Sequence, residues 1–219
     1  MITYEEIKKN SEIRTYIMKA DQSLCAMGYT EHSFPHVMKV AETAARILAE
    51  LGYSERDQEL AKIAGYMHDI GNLVNRVDHS QSGAILAFRI LDELGMEADE
   101  LSTVVTAIGN HDEGSGIAVN AIAAALTLGD KTDVRSSRVR NTDISFFDIH
   151  DRVNYSVTHS EVTVNKEKTQ ITLTLTVDTD ISPVIDYFQI FMDRMIMCRN
   201  SAQALGLQFE LIINGQSLM

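Results

Sequence analysis

The feature that most constrains this chain is a series of helix-period apolar patterns with almost no proline to interrupt them. The two prolines, Pro35 and Pro183, stand just after Ser33 and Ser182, where a first helical turn tolerates proline. Over 35–51, Val37, Val40, Ala41, Ala44, Ile47, Leu48 and Leu51 recur at three- and four-residue spacing, and Gly52 follows as a C-cap. Ile13, Ile17, Leu24 and Met27 give the segment starting near Ser11 an apolar face of its own. Ser54 with Asp57 predicts a capped helix running through Met67, and Ser80 opens another over 84–94 that Gly95 closes. Further helices are predicted over 97–109 and 118–133.

The pattern changes past residue 145. In TQITLTLTVD at 169–178, Ile171, Leu173, Leu175 and Val177 alternate with threonines, which reads as a half-buried strand. Val162 and Val164 suggest a partner strand, with NKEK at 165–168 as the turn. Ser182-Pro183 opens a long helix reaching 205, and a last strand covers 207–213. The expected fold is therefore mainly α: a helical bundle over 1–145 and a small α+β (β-β-α-β) subdomain over 146–219. In the tail helix Ile185, Phe188, Met192, Met195 and Ile196 read as the face against the sheet. The tail itself offers no chemistry.

Charge narrows the partners. The 219 residues carry 19 Lys and Arg against 31 Asp and Glu, a formal net charge of −12. That balance argues against wrapping a nucleic acid or lying on an anionic membrane, while a local site can still oppose the global field and take a small phosphorylated ligand. No apolar run approaches the roughly 18 residues of a membrane span, and MITYEEIKKN lacks a signal-peptide pattern. The expectation is a cytoplasmic protein. Cys25 and Cys198 are isolated, match no zinc spacing and read as buried thiols in a reducing compartment.

Histidine and aspartate carry the chemistry. His36 opens one predicted helix, His68 and Asp69 end another, His79 precedes a third, His111 follows a fourth, and Asp130 sits late in a fifth. A lone histidine is more often a cap or surface residue, but several such groups at helix ends can converge on one pocket. Imidazole and carboxylate together suit Mn, Fe, Ni, Co or Zn without any thiolate.

His36 in FPHVMKVAETA, His68-Asp69 in AGYMHDIGN and Asp130 in LTLGDKTD together resemble the HD-domain metal-dependent phosphohydrolases. The likeness covers about half the chain, from near residue 30 to near 140, and implies the bundle fold of that family. Some of its members add two histidines, and His79 and His111 fall where those would. HDEGSG after His111 is similar to a stretch in cyclic-dinucleotide phosphodiesterases, but Asn110 and Gly116-Ile117-Ala118 depart from them. The pattern is closer to bacterial HD-type symmetrical diadenosine tetraphosphate hydrolases, including AETAARILAELG; that likeness does not reach the tail.

The resemblance implies a divalent cofactor of one or two ions, drawn from Mn, Fe, Ni, Co, Zn or Mg. One ion would be held by His36, His68, Asp69 and Asp130, and a second by His79 and His111 with Asp69 bridging. Water on such ions becomes a hydroxide that attacks phosphorus in line. Asp69 and Lys131 are the catalytic candidates. Lys131, which adjoins Asp130, and Arg135 are the phosphate-binding candidates. Arg138 and Arg140 read as a solvated helix end, Lys39 and Arg46 as surface ion pairs, and Asp112-Glu113 as an acidic loop. His32, His150 and His159 read as surface or capping residues.

The function expected is hydrolysis of a nucleotide or other phosphate ester. Diadenosine tetraphosphate hydrolysis, a non-catalytic nucleotide sensor and a di-iron oxygenase are the alternatives. The expected partner is a small phosphorylated substrate, with no nucleic acid and no membrane. Exposed edges of the short sheet suggest a homodimer.

Overall fold

A computed structural model describes residues 1–218. Its first part is a bundle of α1 (Tyr4–Lys9), α2 (Ser11–Ala26), α3 (Phe34–Leu51), α4 (Glu55–Met67), α5 (His79–Glu93), α6 (Ala98–Gly109) and α7 (Ala121–Lys131). The termini follow local chemistry. Side-chain oxygens of Asn10, Ser54 and Asn120 accept hydrogen bonds from first-turn backbone N–H groups of α2, α4 and α7, which otherwise lack partners. Ser54 and Asp57 close a reciprocal capping box, and Gly52 ends α3 at φ 93°.

α3 is buried along Val37, Val40, Ala41, Ala44, Ala45, Ile47 and Leu48, and each such valine, leucine or isoleucine contributes about 1.5–3 kcal/mol by leaving water. α4 crosses it at Gly65, where a Cβ would stand 2.7 Å from Ala41 Cα. Only a missing side chain permits that approach. It draws the C-terminal end of α4 towards the start of α3, where the chemistry lies.

Past α7 come α8 (Ile149–Ser156), β1 (Val157–Val164), β2 (Gln170–Val177), α9 (Val184–Ala204), β3 (Gln208–Ile213) and the two-residue β4 (Gln216–Ser217). β1 and β2 form an antiparallel hairpin with Val162 opposite Leu173. The crossover through α9 then lays β3 parallel to β2, Leu173 facing Leu211. The fold is thus mainly α with a small β-β-α-β extension, to which α8 and β4 are additions. α8 escapes a pattern search because only Val153, Asn154 and Ser156 of its eight residues are buried.

Two side-chain expectations are corrected. α9 buries Tyr187, Phe191, Met195, Cys198 and Ala202 in a core shared with the sheet, Ile47 of α3 and Leu128 of α7. Ile185, Met192 and Ile196 are exposed, so the stripe taken as the inner face points mostly outward. The helix is apolar on more than one side, and spacing alone does not choose between them. Cys198 is buried but Cys25 is exposed. It follows Leu24, which faces the core, and one residue along a helix turns the side chain by about 100°. No helix among the described residues is long and apolar enough to cross a membrane.

Candidate metal centre

His36 in the first turn of α3, His68 just past α4, His79 at the start of α5, His111 just past α6 and Asp130 near the end of α7 meet at one point in the bundle. The four imidazoles are at most 1% exposed, and Asp69 is 5% exposed. Gly71 makes the convergence feasible. It lies in the 3₁₀ turn Ile70–Leu73 that follows Asp69. A Cβ there would stand 1.9 Å from the His79 carbonyl oxygen and 2.4 Å from Gly83 N. The bare backbone lets this turn lie against α5, which joins Asp69 to His79. Gly71→Ala is expected to cost about 1–3 kcal/mol or more, as overpacking does. Denaturant unfolding measures the cost, and an unchanged midpoint contradicts it.

Each imidazole has an oxygen acceptor at Nδ1. His36 faces Asp133 Oδ2 at 2.8 Å, His68 the Gly65 carbonyl at 2.7 Å, His79 the Arg76 carbonyl at 3.1 Å and His111 the Ile108 carbonyl at 2.6 Å. In each neutral ring these acceptors place the proton on Nδ1 and leave Nε2 as the atom a metal can take. The Nε2 atoms converge. His36 Nε2 lies 3.3 Å from Asp130 Oδ1 and 3.6 Å from Asp69 Oδ2, and His68 Nε2 lies 3.2 Å from Asp69 Oδ2 and 3.7 Å from Asp130 Oδ1. On the other side of the same carboxylate, Asp69 Oδ1 is 3.4 Å from His79 Nε2 and 4.0 Å from His111 Nε2. Those two nitrogens face each other at 3.1 Å. Asn72 Nδ2 donates to Asp69 Oδ1 at 2.9 Å and steadies it.

This arrangement is costly without a cation. His36 Nε2, His68 Nε2 and Asp69 Oδ2 are buried with no hydrogen-bond partner, an expense that proteins rarely tolerate. The donor atoms of His36, His68 and Asp130 lie within 4.8 Å of one another, as do those of His68, Asp69 and His111. Ligands held at about 2.0–2.2 Å from one ion have spacings of this order. The residues fit divalent metal, and the mixed imidazole–carboxylate set is that of Mn, Fe, Co, Ni or Zn.

Electrostatics agree. Burial works against ionising Asp69, but the nearby imidazoles, His68 first and then His79, hold its carboxyl well below the usual range. Asp130 is held low against the same burial by Lys131, His36 and His68. Burial, then His68 and Lys131, push His111 well down. His68 moves the other way, to about 10, because Asp69 and Asp130 together outweigh its burial.

Cations line the approach. Lys131, 3% exposed, sets Nζ 2.9 Å from Asp130 Oδ2 and 3.1 Å from Glu113 Oε2. Arg76, Arg138 and Arg194 line the same small cavity as Asp69, His79 and Asp130, together with His32. His32, Arg76, Arg138 and Arg194 also line a cleft of about 380 Å³ that reaches Tyr29, His150 and Asn154. Arg135 lines neither cavity. Its Nε lies 2.9 Å from Asp133 Oδ1, with a second hydrogen bond to Ser137. Arg138, taken from sequence as a solvated helix end, is instead buried, and Lys39 is held 3.0 Å from Asp133 Oδ1. The Asp112-Glu113 loop is no free surface either, since Glu113 sits between Lys131 and Arg194.

A buried histidine–aspartate centre at the ends of a helical bundle defines the class. Residues 34–153 match the family model of the HD domain, and the chain belongs to that family. It is 27% identical over 189 residues to an uncharacterised protein of Methanocaldococcus jannaschii, covering 75% of this chain and 72% of the relative. Ribonuclease Y of Enterococcus faecalis is 33% identical over 117 residues, covering 52% of this chain and 21% of that enzyme. The chain therefore spans about a fifth of that enzyme's length. Among solved structures, a predicted HD superfamily hydrolase from an uncultured Thermotogales bacterium matches with a TM-score of 0.46 at 24% identity, covering 57% of this chain and 68% of that one.

Proposed function

We propose that this HD-domain protein is a metal-dependent phosphohydrolase acting on a small nucleotide. The observation that carries the reading is the set of buried donor atoms without partners, His36 Nε2, His68 Nε2 and Asp69 Oδ2. In this reading His36, His68, Asp69 and Asp130 hold one ion, and His79 and His111 hold a second with Asp69 shared. Bound divalent ions supply Lewis-acid polarisation of a phosphoryl oxygen and lower the pKa of water.

The chain's own groups do the rest. Lys131, kept charged by Asp130 and Glu113 despite burial, meets a non-bridging phosphoryl oxygen as a point charge. Arg138 sets the wall of the pocket, with Nε on the Glu31 carbonyl at 2.9 Å and Nη1 on the Asp133 carbonyl at 2.8 Å. At about 380 Å³, the cleft is at the small end of ligand pockets, which run to about 1,000 Å³. A cleft of that size accommodates a nucleotide-sized ligand.

The test is a phosphate-release screen of protein reconstituted with each of Mn, Fe, Co, Ni, Zn and Mg. Nucleoside mono-, di- and triphosphates, diadenosine tetraphosphate, cyclic dinucleotides and a short RNA are the substrates. Mononucleotide turnover that needs added metal is expected. Loaded protein that turns over none of them would overturn the reading.

A further inference from the structure

We propose that Arg194, supplied by α9 of the C-terminal extension, is a phosphate-binding residue of the site, so that a segment outside the matched residues 34–153 completes the substrate pocket. The inference rests on the phosphohydrolase reading. Arg194 lines both the small cavity over Asp69, His79 and Asp130 and the wider cleft. It thus spans the route a phosphoryl group takes to the centre.

Its position is fixed, and among the described residues its Nη groups make no hydrogen bond or ion pair with protein. The guanidinium carbon lies 4.5 Å from the centroid of the Phe191 ring, and Phe191 is itself anchored in the core beneath α9. Arg194 Nε is 2.7 Å from Glu113 Oε1, yet that oxygen has no hydrogen-bond partner, so the two charges are close without the alignment of a hydrogen bond. A purely structural arginine–carboxylate pair tends towards a bidentate fork. Lys131 Nζ, 3.1 Å from Glu113 Oε2, already balances that carboxylate. Arg138, by contrast, has spent donors on the Glu31 and Asp133 carbonyls. What remains at Arg194 is the fork of its two Nη groups, on a side chain that lines the cavity beside Asp69, His79 and Asp130. An anion with several equivalent oxygens matches that fork, and a phosphoryl group is such an anion.

The experiment titrates inorganic phosphate into the full-length, Mn-loaded protein by calorimetry, comparing wild type with Arg194→Gln, Arg194→Lys and the exposed control Arg199→Gln. Loss of charge-assisted hydrogen bonds of this kind weakens binding about 10- to 100-fold. That loss is expected for Arg194→Gln, a smaller one for Arg194→Lys and none for Arg199→Gln, with bound Mn unchanged throughout. Should Arg194→Gln not fold, Arg194→Lys decides in its place: weaker binding supports the proposal and unchanged binding overturns it. Phosphate binding at wild-type strength in Arg194→Gln, or none in wild type, also overturns it. Hydrolysis measured in parallel separates the two claims. Phosphate binding that depends on Arg194 in a protein without turnover sinks only the phosphohydrolase reading. Turnover with phosphate binding indifferent to Arg194 sinks only the role of this residue.

Discussion

Asp69→Ala is expected to strip the protein of bound metal and abolish metal-dependent phosphate release. Asp69 is the one carboxylate whose two oxygens face opposite halves of the cluster: Oδ2 looks towards His36 and His68, and Oδ1 towards His79 and His111. Asp130 is close only to the His36–His68 half. Without Asp69 the second half keeps two imidazoles, and the first loses the shared charge that compensates a dication. Groups that merely orient a ligand cost about 10- to 100-fold in metal affinity when removed, and loss of a shared ligand should exceed that. Asp69→Asn is the companion variant, because it keeps the volume of the side chain and removes only its charge. Metal content by elemental analysis and phosphate release are the readouts. Wild-type values for both in either variant would remove Asp69 from the centre.

The layout of the bundle was readable because its helices advertise themselves twice, by apolar period and by caps such as Ser54-Asp57 and Gly52. The metal-centre candidates were readable for a related reason. His36, His68, His79 and His111 stand at or beside helix ends, where polar groups interrupt an otherwise apolar pattern. Residues acting from a distance in the chain left no such mark. Asp133 touches His36 across 97 positions, and nothing in LTLGDKTD sets it apart from Asp130. Arg194 enters from a helix whose own period speaks only of packing. The same ambiguity hid the inner face of α9, where Tyr187 and Phe191 won burial over Ile185 and Met192. That choice is made by the shape of the sheet and of α3 and α7, and local sequence does not contain it. Arg135 and Arg138 are indistinguishable for the same reason: both sit near Asp130 in sequence, and only the path of the chain after α7 sends Arg138 inward.

Asp133→Asn is expected to weaken metal binding at the His36 half by about 10- to 100-fold, as loss of a partner that orients a metal-binding histidine does, with the His79–His111 half little affected. Asp133 is a positioning residue. Its Oδ2 accepts a hydrogen bond from His36 Nδ1 at 2.8 Å, while Oδ1 faces Lys39 at 3.0 Å and Arg135 at 2.9 Å. Burial resists the Asp133 charge, but the hydrogen bond and charge of His36, then Arg138 and Lys39, hold the carboxyl far below the ordinary range. It is therefore ionised at neutral pH. An asparagine keeps the shape and removes that charge, which serves two ends: it sharpens the basicity of His36 Nε2, and it gathers Lys39, Arg135 and Arg138 around one point. With one acceptor oxygen instead of two, the amide cannot satisfy both His36 and the cations. Stability should fall as well, since three positive side chains lose their shared partner, so a lower melting temperature alone would not distinguish orientation from structure. Metal affinity of the folded protein does distinguish them. Calorimetric titration with Mn below the melting transition should show the weaker site, and Asp133→Glu should recover part of it by restoring the charge. Affinity equal to wild type in Asp133→Asn would mean that His36 is held by its helix and its packing on His68, and that the Asp133 carboxylate serves only the cations around it.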